Sequence, residues 1–161
     1  MSAYSVVEPV EFSVCGLHGP LSACRWGEAA ELTPILLLHD SLGAVSLWRD
    51  FPAKLAGITG RQVIAYDRAG FGRSVVRSEP VAQDFILAEA EEGIVPVLDA
   101  LGIGRVILFG HSVGGGMALS AASVLGARVA GVISMAAQAF VEERTLEGVR
   151  QAQIAFAQDG Q

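Results

Sequence analysis

One short stretch of the chain, residues 105–116, combines a nucleophilic side chain with the spacing that would expose it. Apolar residues run directly into Gly110-His111-Ser112-Val113-Gly114, a G-x-S-x-G pattern, and small residues follow. In the order strand, tight turn and helix, this pattern presents the serine at the apex of the turn. The two glycines keep Cβ atoms out of a crowded bend. Ser112 would also lie at a helix N-terminus, where free N–H groups stabilise negative charge. The stretch therefore predicts a serine nucleophile with part of an anion-stabilising site beside it.

The composition favours one domain built on a sheet that is covered on both faces. A chain of 161 residues can bury a sizeable core. The hydrophobic content of 52% suits parallel strands, which read as continuous apolar runs. The net charge of −6, without a cluster of lysine and arginine, argues against a nucleic-acid partner.

The remaining composition points to a cytoplasmic protein without a cofactor. Cys15 and Cys24 are too few for a disulfide framework and are expected to be reduced, core-facing thiols. The first residues have neither a basic segment nor a long apolar one, so no signal peptide is expected. The uncharged stretch 106–127 divides into strand, turn and helix, which argues against a membrane span. No His, Cys, Asp or Glu spacing indicates a metal site, and the glycine-rich segments lack the nucleotide-binding patterns.

The hydrophobic periodicity predicts an opening strand pair followed by alternating strands and helices. Pro96 is expected to kink the second of these helices. From residue 35 onward the alternation indicates a parallel sheet with a functional edge at the carboxyl ends of its strands. The predicted strands are 4–15, 21–28, 35–39, 62–66, 105–109 and 129–135, and the predicted helices are 46–56, 84–102, 113–125 and 142–157.

Three motifs, each at the end of a predicted strand, resemble those of the α/β-hydrolases. Residues 38–43 resemble the oxyanion loop of that family, and residues 66–74 resemble its D-x-x-G-x-G-x-S loop. Residues 110–115 resemble its nucleophile elbow. The resemblance covers nearly the whole chain and implies an α/β fold, with a mostly parallel sheet and helices on both faces. Residues 1–141 would form the N-terminal part of the core, with its first six strands, and residues 142–161 would begin the lid or cap helix.

The resemblance also implies roles for individual residues. Ser112 would be the catalytic nucleophile, and the backbone N–H groups of Ser41 and Val113 would form the oxyanion hole. Losing one such donor typically costs about 3–4 kcal/mol of transition-state stabilisation. The residues expected to support this site are His39, Asp40, Asp67, Gly110, His111 and Gly114. The residues expected to wall the substrate pocket are Leu42, Trp48 and Phe140.

Asp40 departs from the family pattern, which has glycine at this position. An aspartate tolerates a left-handed backbone better than most residues, but a carboxylate aimed at the oxyanion hole would weaken it. We expect Asp40 to point away. His39, His111 and Asp67 are expected to hold their loops rather than to take part in proton transfer, and His18 is expected to lie in solvent.

The larger departure is that no histidine follows Ser112. The family's triads run Ser, then Asp or Glu, then His along the chain, but His18, His39 and His111 all come before the serine. The family's seventh and eighth strands have no counterpart. The chain therefore resembles an N-terminal portion that lacks the acid and histidine region, which leaves Val129–Met135 as an apolar edge strand.

The leading interpretation is a serine hydrolase for a small ester, lactone, amide or activated C–C bond, in a chain incomplete for catalysis. Three alternatives stay open: a non-catalytic ligand-binding module, one half of a two-chain enzyme, and a truncated or cleaved product. The expected partners are a small acyl substrate and, through Val129–Met135, either a second copy or a complementary C-terminal chain. Neither nucleic acid nor membrane is expected as a partner.

Overall fold

The computed structural model describes residues 7–137 and 142–159 and contains a six-stranded sheet. The strands are β1 (Pro9–Gly16), β2 (Gly19–Trp26), β3 (Ile35–Leu38), β4 (Val63–Tyr66), β5 (Val106–His111) and β6 (Val129–Met135). The strand order is β1-β2-β4-β3-β5-β6. β1 pairs antiparallel with β2, and β2 with β4, while the other three pairings are parallel, as predicted. The helices are α1 (Phe51–Thr59), α2 (Phe85–Glu89), α3 (Val95–Ala100), α4 (Val113–Leu125) and α5 (Glu143–Asp159).

The central strand β3 feeds two hydrophobic cores, one on each face of the sheet. Its four residues are all buried, because successive side chains point to opposite faces and helices cover both. Leu36 and Leu38 pack in the core that contains α4, whereas Ile35 and Leu37 pack in the core that contains residues of α1. The prediction of helices on both faces is therefore confirmed.

The predicted helix 84–102 runs without a gap over residues 85–100, but it is not α-helical throughout. It consists of α2, a π-helical segment over Ala90–Ile94, and α3. Pro96 has no N–H to donate to the carbonyl one turn earlier, and that carbonyl, on Glu92, accepts the N–H of Leu17 at 3.4 Å. The carbonyl that Pro96 leaves free therefore ties the helix to the turn between β1 and β2.

Two other predictions need correction. In place of a helix at 46–56, a 3₁₀ turn covers Val45–Trp48 and α1 begins at Phe51, where a proline in the first turn favours helix initiation. Cys15 was expected to face the core with Cys24, but Cys15 is exposed and Cys24 is buried. The two lie opposite Pro20 and Glu11 in the strand pair, not opposite each other.

The strand β6 forms one edge of the described sheet. β5 pairs with one side of it, and no described strand pairs with the other. Its carboxyl half carries two exposed apolar side chains, Ile133 at 46% and Met135 at 44% exposure.

The described part of the chain holds no helix both long and apolar enough to cross a membrane. The lid role of 142–161 stays a prediction.

Candidate active site

Ser112 occupies the sharp turn between β5 and α4. Its φ of 54° and ψ of −120° lie in a region that a non-glycine residue adopts only under strain. The turn is fixed on both sides, because the Ser112 N–H donates to the Met135 carbonyl at 2.8 Å and its carbonyl accepts the Gly115 N–H at 2.9 Å. The side chain is half-buried. The backbone is therefore held in the shape that lifts a serine out of the sheet edge.

The two glycines of the elbow are required by close backbone packing. A Cβ built on Gly110 would overlap the carbonyl group of Gly114, at the start of α4. A Cβ on Gly114 would overlap the carbonyl oxygens of Leu38 and His39, at the end of β3. Because these neighbours are backbone atoms, they have no rotamer by which to move aside. The helix can approach β5 and β3 this closely only with glycine at both positions.

Two backbone N–H groups near the elbow have no acceptor among the described residues. They belong to Ser41, in the loop after β3, and Val113, the first residue of α4. The first N–H groups of a helix have no partner within it, and the helix dipole adds positive potential there. These are the two groups expected to form the oxyanion hole.

Arg68 holds the loop that carries Ser41. This buried guanidinium donates to the carbonyl oxygens of His39 at 2.6 Å and Asp40 at 2.8 Å, and it stacks on the ring of Phe71 at 4.6 Å. Its backbone N–H donates to His39 Nε2 at 3.2 Å. Arg68 is not among the residues predicted from the sequence, and its place directly after Asp67 in the second motif is the one signal for it.

His39 is a buried, neutral histidine. Burial and the nearby Arg68 guanidinium lower its pKa from 6.5 to about 4. Nε2 accepts the Arg68 N–H, and Nδ1 lies 2.9 Å from the Asp40 carbonyl oxygen, so the proton is assigned to Nδ1. Both ring nitrogens are thus used to hold the loop.

Asp67 braces two loops at the same sheet edge. Its carboxylate accepts the backbone N–H of Val45 at 2.6 Å and of Arg73 at 2.9 Å, and it is buried. A Cβ on Gly72 would overlap this carboxylate, which explains the glycine at that position. The acid is committed to backbone donors.

Asp40 and His111 face each other beside the elbow. The Asp40 carboxylate accepts the N–H of Leu42 at 3.0 Å, and its other oxygen lies 3.5 Å from His111 Nδ1. The remaining histidine, His18, is in the hairpin turn, and its Nε2 lies 3.0 Å from the Glu92 carboxylate. His18 is partly covered, not fully in solvent as expected. His18 and His39 are thus engaged with partners other than Ser112, and His111 Nδ1 faces Asp40.

A pocket of about 300 Å³ lies next to the elbow. Trp48 lines it, whereas Leu42 is 88% exposed and does not. Phe140, the third expected wall residue, lies outside the described residues. The lining residues are His39, Asp40, Gly43, Ala44, Leu47, Trp48, Phe51, His111 and Met135.

A second cavity of about 260 Å³, lined in part by Ser41, Arg68 and Glu89, contains a buried acid that sequence reasoning missed. Burial raises the pKa of Glu89 from 4.5 to about 7, and the Tyr66 hydroxyl donates to it at 2.5 Å. In a regular helix Glu91 would share a face with Ile94 and Leu98, which are buried, but the π-helical segment shifts the register and Glu91 is exposed. Among the described residues, no cluster of three or more His, Cys, Asp or Glu could hold a metal ion.

The architecture and the elbow agree with a family that sequence comparison also identifies. A family described as the alpha/beta hydrolase fold matches residues 33–158. The chain belongs to this alpha/beta hydrolase family. An alpha/beta hydrolase from Novosphingobium aromaticivorans shares the fold with a TM-score of 0.76 and 21% identity, over 90% of this chain and 50% of that one.

Two relatives of the present chain have names that describe enzymes. A proline iminopeptidase from Lactobacillus delbrueckii subsp. lactis is 32% identical over 93 residues, which is 58% of this chain and 32% of that protein. The "Putative carbamate hydrolase RutD" of Variovorax paradoxus is 34% identical over 127 residues, which is 78% of this chain and 41% of that protein. The chain thus spans about a third to two fifths of the length of these relatives.

Proposed function

We propose that this chain carries the nucleophile and oxyanion hole of a serine hydrolase that acts on a small ester, lactone, amide or activated C–C bond. The observation that carries the proposal is the strained backbone of Ser112, held between Met135 and the first turn of α4. Strain of this kind persists where the surrounding structure enforces it, and it clusters at active sites.

The chemistry would follow from these positions. Ser112 Oγ bonds to the acyl carbon, its proton leaves to a base, and the carbonyl oxygen becomes an oxyanion. The N–H groups of Ser41 and Val113 stabilise that charge, and collapse of the intermediate expels the leaving group. Water then releases the acid from the acyl-serine.

The base and its orienting acid would come from a segment other than the described residues. His18 and His39 contact Glu92 and Arg68, and His111 Nδ1 faces the Asp40 carboxylate at 3.5 Å. A serine hydroxyl without a base is a weak nucleophile. We propose that a complementary strand pairs with the free edge of β6 and brings these groups to Ser112. The thiols of Cys15 and Cys24, which are not bonded to each other, favour a cytoplasmic location.

Ester turnover tests the proposed function. The chain is expected to release p-nitrophenolate from p-nitrophenyl acetate slowly but measurably, because binding and the oxyanion hole give residual catalysis when a triad is incomplete. Ser112→Ala should reduce release severalfold, to the residual rate that binding and the oxyanion hole give without a nucleophile, whereas Ser120→Ala, on the same helix, should leave it unchanged. Equal rates for the wild type and Ser112→Ala would refute the nucleophile.

The free edge of β6 predicts self-association when no complementary chain is present. Ile133→Lys should lower the average mass measured by sedimentation at high protein concentration, because a lysine on an edge strand opposes strand pairing. Ile58→Lys is the matched control, since Ile58 is an exposed apolar residue of α1, a helix that packs against β4 and β2. A wild-type chain that stays monomeric at all concentrations, or a mass lowered equally by both variants, would contradict pairing through β6.

A ligand-binding module without catalysis is the second candidate. It is favoured by the pocket of about 300 Å³, which is formed although none of the described histidines is hydrogen-bonded to Ser112. This alternative predicts cooperative unfolding and ligand binding with no difference in turnover between the wild type and Ser112→Ala.

A further inference from the structure

The lining of the pocket beside the elbow contains one acidic side chain and no lysine or arginine. Among the described residues that line it, the acidic one is Asp40. The nearby Arg68 lines the second cavity instead, and its guanidinium is occupied by the carbonyl oxygens of His39 and Asp40. The charge of the buried Arg68 guanidinium still interacts with Asp40 from behind the pocket, but no cationic lysine or arginine side chain lines the pocket itself.

Aromatic rings form the wall near this carboxylate. The rings of Trp48 and Phe51 are stacked, with centroids 5.6 Å apart and planes at 25°. The Trp48 ring also lies 6.5 Å from that of His111. Aromatic faces attract organic cations through the ring quadrupole, most strongly in the case of tryptophan. The pocket therefore combines two independent features that favour positive charge.

The Asp40 carboxylate keeps acceptor capacity for a ligand. One oxygen accepts the N–H of Leu42 at 3.0 Å, and the other lies 3.5 Å from His111 Nδ1, beyond good hydrogen-bond distance. A carboxylate offers about four lone-pair sites, so these contacts leave acceptors free. The side chain is 37% exposed, which makes it both reachable and partly shielded from water.

We infer that this pocket binds the organic ammonium group of the ligand, with Asp40 as the counter-ion and Trp48 and Phe51 as the aromatic wall. Asp40, which stands where the family pattern has glycine, is thus a specificity-determining residue. The inference rests on the proposed function only in calling the ligand a substrate. Binding of the cation itself requires no reaction at Ser112.

Two probes of similar size, one cationic and one neutral, test the inference. Benzylammonium and benzyl alcohol are titrated into the full chain, and binding is followed by tryptophan emission, to which Trp48 contributes. The wild type is expected to bind benzylammonium about tenfold more tightly, from charge attraction and cation–π contact together. Asp40→Asn keeps an oxygen for the Leu42 N–H and should reduce the preference to about twofold or less.

Three controls make the outcome decisive. Asp50→Asn removes an exposed carboxylate that pairs with Lys54 outside the pocket and should keep the tenfold preference. Ser112→Ala should also keep it, so failure of the nucleophile and failure of the cation site are distinguishable. If Asp40→Asn binds neither probe, the salt dependence of the wild type decides, because a charge-based preference must shrink at high salt. Equal binding of both probes by the wild type, a preference that survives Asp40→Asn, or one unaffected by salt overturns the inference.

Discussion

Replacing Glu89 by glutamine is expected to raise the free energy of unfolding by about 3 kcal/mol at pH 8, with little effect at pH 4.5. Burial raises the pKa of this carboxyl from 4.5 to about 7, so at pH 8 the folded protein must ionise an acid that is costly to charge. Glutamine carries no charge and keeps an oxygen that can accept the hydrogen bond from the Tyr66 hydroxyl.

The direction of the pH dependence follows from proton binding. Between pH 4.5 and about 7, folded Glu89 holds a proton that the unfolded chain has released, so its contribution to stability is lost as pH rises. His39 acts in the opposite sense, since its pKa falls from 6.5 to about 4 and the unfolded chain binds the extra proton. Its contribution to stability is lost as pH falls through that window. The two effects offset each other in the wild type between pH 4.5 and 6.5.

Urea unfolding at a series of pH values checks this prediction. In the wild type, the summed contribution of Glu89 and His39 to the free energy of unfolding should change little between pH 4.5 and 6.5. The Glu89→Gln protein should instead become more stable as pH rises through that window. Glu91→Gln is the matched control, because Glu91 is exposed two residues away. An equal gain at pH 4.5 and pH 8, or a loss at pH 8, would show that Glu89 is not held protonated by burial.

Gly114→Ala is expected to destabilise the protein by about 3 kcal/mol and to remove reactivity at Ser112. The added methyl group overlaps the carbonyl oxygens of Leu38 and His39, so α4 must move away from β3 or the elbow must open. Either change displaces the N–H of Val113 relative to Ser112.

The control for this substitution is Gly104→Ala. No atom lies within 4 Å of a Cβ built at Gly104, so its effect should stay within about 0.5 kcal/mol. Unfolding in urea measures both variants. A Gly114→Ala protein as stable as Gly104→Ala would mean that the elbow is less tightly packed than the structure shows.

The order of elements and the sheet were predictable because they depend on patterns repeated along the chain. The apolar runs of β3 and β5 and the glycine-framed Ser112 each identify an element without reference to a partner. Val129–Met135 was predicted with the bounds that the structure has. Local spacing was sufficient wherever one segment contained all the information.

The rest could not be predicted because it depends on contacts between distant segments. Glu89 is buried because one π-helical segment shifts the register of the helix. A regular helix would have turned Glu91 inward, but Glu91 is exposed. The role of Arg68 requires the carbonyl groups of another loop, 28 and 29 residues away in sequence. The pairing of Asp40 with His111 likewise joins the ends of β3 and β5.

Labelling with a fluorophosphonate, read by intact mass and peptide mapping, tests the central claim that Ser112 is a positioned nucleophile. The full chain is expected to gain one label on the peptide that contains Ser112, more slowly than a hydrolase with a complete triad. Ser112→Ala should gain none, and Ser120→Ala should label as the wild type does. A folded wild-type chain that takes up no label, or a label that persists in Ser112→Ala, would contradict the claim.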